Sequence, residues 1–480
     1  MSASRKDIAA AIAANRFGLG ARPGELAVIA GDPDGWLRRQ LRGKPSGIEG
    51  EGLEPSSKTL AKVIGLRNEA RAQRRENREA AGPDEAAAKV AFKLGAIYRP
   101  VYLDESFARL AHSVNTDRPF LERLTQFWTN HFAVSVDKIA VLGLAGAMER
   151  EAIRPHVTGS FTDLLLAVER HPAMLLYLDN HLSIGPNSRA ATLVSRRGSG
   201  RKLGINENLA REILELHTLG VNGGYSQADV TTFAQALSGW SIGGEGDARR
   251  FARLGGDGGK PGEFQFREPF HEPGAKRVLG RSYADDGAKQ GEAILRDLAL
   301  RPETARHVCT KLARHFIADD PPRAAVERMT KAWMDSRASL PAIYDALIDS
   351  PEAWVEPLAK FKTPADYIYS SWRGLGIPLR EKRRSLASFE ALGQRNLMPG
   401  SPAGWPDRSA DWDGSSALLK RIAWADVVAQ RMGDARNARE LAPDLLGASL
   451  SDSTAMAIAR AESGSQALTL LLASPEFMRR

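Results

Sequence analysis

The spacing of apolar residues predicts a chain built mainly from α-helices. From about Val101 onward, apolar side chains recur at every third or fourth position, which is the period of one helix face. Helix boundaries are marked as well. Pro119 stands in a first helical turn, Ser160 precedes Asp163 in a capping pattern, and Gly220 follows the segment NENLAREILELHTL. These signals predict one large helical body.

The pattern changes between residues 241 and 283, where a glycine-rich stretch interrupts the helices. Phe264–Phe266 and, after a turn, Lys276–Leu279 read as the two strands of a hairpin. We therefore expect a mainly α fold, with a large multi-helix body and a Gly-rich β-hairpin insertion. The later segment PGSPAGWPDRSADWDG predicts a loop that packs its tryptophans on the body.

Shifts in composition predict the domain organisation. Residues 1–43 are expected to form an N-terminal helical module, and residues 44–100 a charged connector that is partly helical or disordered. Residues 101–480 form the main α-helical domain, which carries the hairpin insertion near residues 241–283. Within the connector, the segment RNEARAQRRENREA spaces Arg and Glu as on an exposed helix with little apolar face.

Composition narrows the class of protein. The net charge is +8, but arginines alternate with acids along the chain, which is typical of a mixed solvated surface, so nucleic-acid binding is not predicted. No stretch approaches the roughly 18 consecutive apolar residues that span a bilayer. The N-terminus lacks the apolar core of a signal peptide, so we expect the chain, as encoded, in the cytoplasm. Cys309 is the only cysteine, which excludes an internal disulfide.

Two histidines are predicted to point into the core. On a helix over residues 119–132, His131 shares a face with Phe127 and Trp128, whereas Glu122 and Thr125 fall on the other face. On a second helix over residues 206–217, His217 lies within the apolar face. Imidazole is a common ligand of metals and haem iron, so His131 and His217 are candidate ligands of a divalent metal or haem. The alternative is two core histidines, each hydrogen-bonded to a carbonyl or a buried acid.

Polar residues near the second helix supply candidate catalytic groups. Glu212 and Glu215 share a face, with Asn208 one turn earlier, whereas His217 does not complete the Glu-x-x-His pattern of a di-iron bundle. His271, in FHEPGAKRVLG, could complete such a site from the hairpin. We therefore name Glu212, Asn208 and His271 as candidate catalytic residues. The alternative for the helix is an Arg–Glu ladder through Arg211.

The familiar catalytic templates are absent from the sequence. The chain has no phosphate-binding G-x-x-x-x-G-K-[ST] loop, no G-x-S-x-G nucleophile elbow and no H-E-x-x-H zinc motif. No G-x-G-x-x-G fingerprint follows a predicted strand. The sequence therefore names no reaction by motif.

Several long motifs in order resemble a bacterial family of unknown function, DUF1800. They are RLTQFWTNHFAVS, EREAIRPHVTGSFTDLLLAVERHPAMLLYLDN, NENLAREILELHTLGVNGGYSQADVTTFAQALSGW, FHEPGAKRVLG and PAGWPDRSADW. The resemblance runs over nearly the whole chain and implies no established reaction. This sequence departs from it at Met148, where relatives often have Tyr, and at Glu272, where they often have Asp.

The resemblance also implies a candidate partner. Genes of this family often lie beside those of DUF1501, a family that resembles sulfatases and carries export signals. Two functions are therefore expected as alternatives. One is a metal- or haem-dependent enzyme that uses the inward-facing histidines. The other is a non-enzymatic scaffold or partner of a DUF1501 protein, which could carry the chain to the periplasm.

Overall fold

The computed structural model describes residues 4–76, 83–196, 204–244, 258–356 and 358–480, and it is mainly α. The N-terminal half contains α1 to α12, which are Arg5–Ile12, Glu25–Ile29, Pro33–Gln40, Ser56–Glu76, Pro83–Asn115, Pro119–His131, Ala145–Met148, Phe161–Glu169, Pro172–Tyr177, Arg189–Arg196, Asn208–Glu212 and Gln227–Leu237. The C-terminal half contains α13 to α22, which are Ala288–Ala299, Pro302–Phe316, Arg323–Asp335, Leu340–Ile348, Pro364–Leu375, Lys382–Ala391, Ser415–Met432, Ala438–Leu446, Asp452–Ala459 and Gly464–Leu472. None of the helices in these ranges is long and apolar enough to cross a membrane.

Local signals place the helix ends. Pro119 occupies the first turn of α6, where its missing N–H is no loss, as predicted. The Ser160 side chain accepts a hydrogen bond from the backbone N–H of Asp163 over 3.1 Å and so caps α8. A reciprocal capping box between Ser226 and Asp229 begins α12 in the same way.

The two small sheets differ from the predicted hairpin in their pairing. Phe264–Phe266 pairs antiparallel with Trp240–Ile242, and Lys276–Val278 pairs with Arg281–Tyr283. The prediction that Phe264–Phe266 pairs with Lys276–Leu279 is therefore wrong. A tight turn at Leu279 and Gly280, both with positive φ, gives the second strand a nearer partner in sequence. Residues 245–257 of the glycine-rich stretch lie outside the described residues.

Helix α6 is buried on both faces, which the helical periodicity alone does not predict. Phe120 and Leu124 lie in the core as expected, but Glu122 and Thr125 are also buried. Glu122 is accommodated because Arg154 and His112 lie against its carboxylate. An ion pair thus replaces solvent on the polar face of this helix.

Two hydrophobic clusters form the interior. The larger one joins residues from α1 to α16, including Trp128 and Phe161. The second joins Leu19, Leu110 and Val114 to the C-terminal helices. The loop with PAGWPDRSADW packs against the body as predicted, since Trp412 is buried and Asn130 donates to the backbone O of Trp405 over 2.9 Å.

The charged connector is irregular over residues 44–55 and helical in α4 and in the first part of α5. Its buried residues Leu60 and Val63 belong to the larger cluster, and the Arg- and Glu-rich segment begins within α4. Residues 77–80 of that segment lie outside the described residues. The division of the chain into a 1–43 module, a 44–100 connector and a 101–480 domain stays a prediction.

Candidate functional site

His131 and His217 point into the same part of the core. His131 ends α6, and His217 ends a π-helical turn, Ile213–His217, that continues α11. Both side chains are buried, and their ring centroids lie 6.2 Å apart. The Nε2 of His131 lies 3.1 Å from the backbone O of His217. Since a carbonyl oxygen only accepts, this contact places the proton of His131 on Nε2.

Each of the two imidazoles uses one nitrogen to hold its ring and leaves the other without a hydrogen-bond partner. His217 Nδ1 lies 2.8 Å from Oε1 of the buried Glu169. His131 Nδ1 and His217 Nε2 are buried and have no hydrogen-bond partner. Metal-binding histidines are commonly held by a carbonyl or carboxylate in this manner.

His307 is a third imidazole beside the pair. Its ring centroid lies 6.5 Å from that of His131, and its Nε2 donates to the backbone O of Leu216 over 3.2 Å. Burial and the nearby Lys311 lower the pKa of His307 to about 4 and lower the pKa of His131 well below its ordinary value. Both rings are therefore uncharged at neutral pH, as metal ligands must be.

The donor set around this pair is small. Within the described ranges, no group of three or more His, Cys, Asp or Glu side chains is arranged to hold a metal ion. The metal role of His131 and His217 stays a prediction.

The structure does not draw the predicted catalytic residues into one constellation with the histidine pair. Glu212 is half-buried, burial raises its pKa, and it is near enough to His217 for the two charges to interact. Asn208 is exposed at the start of α11. His271 is buried elsewhere, with Nδ1 2.9 Å from the backbone O of Ser238. Catalytic roles for Glu212, Asn208 and His271 stay predictions.

The expected Arg–Glu ladder forms on the exposed side of α11. Arg211 pairs with Glu207 over 3.0 Å and with Glu215 over 3.4 Å, each one helical turn away. Pairs of this kind stabilise a helix by a few tenths of a kcal/mol. Glu215 therefore has an ion-pair partner on its own helix, whereas Glu212 is not part of the Arg–Glu ladder.

A cavity of about 100 Å³ lies where α5, α6 and α17 meet the loop over residues 394–407. This volume holds several water molecules or a small polar molecule. Its walls combine apolar carbon with polar side chains, and the polar ones include Arg109, Gln126, Thr129, Asn130, His315 and Asp407. A concave site with a few convergent polar groups is the usual form of a small-molecule site.

His315 and Asp407 form a hydrogen-bonded pair in the wall of this cavity. His315 Nδ1 lies 3.3 Å from Oδ1 of Asp407, and His315 Nε2 has no hydrogen-bond partner. The two side chains are 13% and 17% exposed, so both are largely shielded from solvent. Since a carboxylate accepts, the imidazole proton sits on Nδ1, which leaves the lone pair on Nε2.

Charged neighbours set the protonation of this pair. Burial, together with the cation of Arg480, lowers the pKa of His315 to about 4. Burial opposes ionisation of Asp407, but the hydrogen bond with His315 and the charge of Lys311 outweigh it and lower the pKa of this carboxyl. At neutral pH the pair is thus a neutral imidazole held by a carboxylate.

The opposite wall presents fixed donors and acceptors. Arg109 donates to Oε2 of Glu149 over 2.6 Å and to the hydroxyl of Tyr369 and Oδ1 of Asn396, each over 3.0 Å. Met148 also lines the cavity, at the position where the family resemblance implies Tyr. The methionine gives this wall an apolar surface where a tyrosine hydroxyl would be polar.

This site is not among those named from the sequence, although the inward position of His315 can be predicted from helical spacing. His315 lies seven residues after Val308 and three after Leu312, so helical spacing places it on the same side of α14 as these buried residues. Asp407 follows 92 residues later in an irregular loop, and no periodicity connects the two.

Comparisons with known proteins bear on the family alone. Curated proteins and solved structures gave no match. The model of one family, described as a protein of unknown function (DUF1800), matches residues 12–479. This range covers nearly the whole sequence and includes both the histidine pair and the cavity, so the chain belongs to the DUF1800 family.

Proposed function

We propose that this chain is an enzyme that transfers a proton in the cavity beside His315 and Asp407. The observation that supports the proposal is a histidine in the cavity wall whose Nδ1 is engaged by a carboxylate and whose Nε2, itself buried, has no hydrogen-bond partner. The histidine of a hydrolytic triad likewise has its Nδ1 held by a carboxylate, which leaves Nε2 to act as the base. A buried histidine nitrogen without a partner calls for an explanation, and a role in proton transfer supplies one.

In the proposed reaction, His315 acts as general base. Its Nε2 accepts a proton from a water molecule or from a hydroxyl of the substrate, and the resulting imidazolium is stabilised by Asp407. The deprotonated oxygen attacks the carbonyl carbon of the substrate, the bond from that carbon to the leaving group breaks, and Nε2 returns the proton to the leaving group. Burial, Arg480 and Arg123 all lower the pKa of His315, and both arginines pair with Asp366, a carboxylate that also lines the cavity.

The cavity limits the class of substrate. A volume of about 100 Å³ admits a molecule, or the reacting end of one, with few heavy atoms. The lining side chains of Gln126, Asn130 and Asn396 offer neutral hydrogen-bonding groups beside charged ones such as Arg109 and Asp366. We therefore expect a small, polar carbonyl or hydroxyl compound, or the small end of a larger one.

Hydrolysis of p-nitrophenyl acetate by the purified protein tests this proposal, because its acetyl group is a small acyl probe of an active base. We expect His315→Gln and Asp407→Asn each to lower the protein-dependent rate by about 100-fold or more. The matched control is His156→Gln, whose imidazole lies outside the cavity and is held by the backbone O of Ala152. Equal rates for the wild type and both cavity variants, with folding verified by circular dichroism, would contradict the proposal.

The histidine pair supports a second candidate function, a metal site at His131 and His217. The observation in its favour is the two buried, unpartnered nitrogens on rings whose centroids lie 6.2 Å apart. The catalytic roles named for Glu212, Asn208 and His271 would then depend on the bound metal ion.

Elemental analysis of protein purified without added metal tests the second candidate. If the pair binds a metal ion, we expect about one equivalent in the wild type and its loss in both His131→Ala and His217→Ala. The control variant His112→Ala, whose imidazole contacts Glu122 instead, should retain the metal. The same metal content in all four proteins would show that the pair is structural. The scaffold function, with or without a DUF1501 partner, is the remaining alternative if both candidate sites are inactive.

A further inference from the structure

We propose that a groove on the C-terminal helices binds an acidic, amphipathic α-helix of a partner protein. The C-terminal groove is the surface between α18, α19 and the turn over residues 376–381, and it encloses about 710 Å³. It is independent of the cavity beside His315, since the two share no lining residue.

The floor of the groove is apolar and aromatic. Trp372 and Trp424 meet edge to face with ring centroids 6.2 Å apart, and Leu379 and Val428 extend the same surface. Trp372 and Val428 are buried, whereas Trp424 is half-buried and so keeps part of its ring open to a partner. Tryptophan is the side chain most often found at energetic centres of protein interfaces.

An exposed apolar ridge runs along one edge. Leu419, Ala423 and Val427 follow one another at intervals of four residues on α19, and the first and last are 67% and 43% exposed. Exposed apolar side chains that adjoin an apolar floor form a contiguous patch, and such patches mark interaction sites more often than single exposed residues do. Rows of residues four apart are the ridges that fit between the side chains of another helix, which favours a helical partner over a flexible chain.

The charges at the groove identify the partner as acidic. Arg380, Arg384, Lys420 and Arg431 line it, against the single acid Glu381. None of these four cations forms an ion pair within the part of the chain that the structure describes, whereas the exposed Arg323 and Arg395 each form one. Unneutralised cations around an apolar floor complement a helix with apolar residues on one face and carboxylates at its borders.

The dimensions set the length of the bound segment. Residues 419 to 431 of α19 extend over roughly 18 Å at 1.5 Å per residue, which corresponds to about 12 residues of a partner helix. Such a segment places apolar side chains at i, i+3, i+4 and i+7 against the floor and ridge. Arginine at the border binds its carboxylates in a two-pronged geometry.

Titration with a synthetic peptide tests the proposal on the full chain. The probe is a helix of about 15 residues with Leu at i, i+3, i+4 and i+7 and Glu at the flanking positions. We expect saturable binding by calorimetry, with a change in tryptophan emission, that weakens as salt is added. A peptide with Lys in place of every Glu, and a scrambled peptide of the same composition, should not bind.

Variants of the protein locate the binding. Val427→Asp, and Arg384→Glu combined with Arg431→Glu, should each weaken binding by about tenfold or more. The matched controls are Val28→Asp, at another exposed valine, and Arg323→Glu, at another exposed arginine, and both should bind as the wild type does. Equal binding of the Glu and Lys peptides would overturn the proposal, as would no saturation up to about 1 mM.

Two further measurements distinguish the acidic helix from two other occupants of the groove, a second copy of the chain and a membrane surface. Sedimentation of the protein alone should show no self-association that depends on Val427, because such association would assign the groove to a second copy of the chain. Vesicles containing phosphatidylglycerol should not compete with the peptide, because competition would assign the groove to a membrane surface. Either result would overturn the assignment to an acidic helix.

Discussion

Lowering the pH from about 6.5 to about 5 is expected to destabilise the fold by several kcal/mol, because three buried histidines are neutral in the folded chain. Burial is the largest cause in each case, and it lowers the pKa of His307 and His315 to about 4 and that of His131 well below its ordinary value. Charges nearby act in the same direction, from Lys311 on His131 and His307 and from Arg480 on His315.

The sign follows from proton binding. In the unfolded chain these imidazoles take up protons near pH 6.5. In the folded chain His307 and His315 stay neutral until about pH 4, and burial keeps the pKa of His131 well below its ordinary value. The unfolded state therefore binds more protons in this window, and stability is fully present above it and is lost as the pH falls through it. Each histidine contributes a slope of about 1.4 kcal/mol per pH unit, so three together approach about 4 kcal/mol per unit.

Urea unfolding at a series of pH values across this window measures the slope. His307→Gln and His315→Gln should each flatten it by about a third, since each removes one titrating group. Lys331→Gln, which removes an exposed charge, should leave the slope unchanged. A wild-type slope below about 1.4 kcal/mol per unit would mean that the folded chain protonates these histidines, and the electrostatic description of both sites would then be wrong.

The sequence predicts the parts of this molecule that depend on local periodicity. The inward orientation of His131 follows from the apolar face of α6, and the cap at Ser160 follows from its spacing to Asp163. The prediction for His217 also succeeds, although its turn is π-helical and departs from the 100° spacing used to place it. Burial of the flanking Ile213 and Leu214 keeps this turn directed inward.

The sequence does not predict contacts between distant segments, and the sites depend on these. Glu169 lies 48 residues before His217, and Asp407 lies 92 residues after His315. Strand pairing failed for the same reason, since the partner of Phe264–Phe266 stands before the glycine-rich stretch rather than after it. Apolar periodicity shows which face is buried but carries no information on what lies opposite.

Replacing Arg154 by methionine is expected to lower the free energy of unfolding by about 3–5 kcal/mol, because it removes the cation shared by two buried carboxylates. Arg154 donates to both oxygens of Glu122, over 2.7 and 3.0 Å, and to Glu149 over 3.0 Å. All three side chains are at most 3% exposed. Burial opposes ionisation of Glu122, but the charge of Arg154 outweighs it and keeps the pKa of Glu122 well below its ordinary value.

The network survives only in part without this arginine. Glu122 keeps His112 at 3.2 Å and the hydroxyl of Ser113 at 3.4 Å. Glu149 keeps Arg109 at 2.6 Å and the hydroxyl of Thr129 at 2.9 Å, so each carboxylate loses Arg154 and retains two partners. Because Arg109 lines the cavity, a shift of Glu149 would also disturb the wall opposite His315. The variant should therefore be less stable than the wild type, and any activity of the cavity should fall as well.

Urea unfolding at neutral pH measures this effect, with Arg323→Met as the matched control. Arg323 is exposed and pairs only with Glu327 on the same helix, so its loss should change the free energy of unfolding by less than about 0.5 kcal/mol. The double variant Arg154→Met, Glu122→Gln should recover part of the loss, since a neutral amide in the core needs no cation. A loss below about 1 kcal/mol in the single variant would show that water reaches these carboxylates, and that α6 is not closed on its polar face.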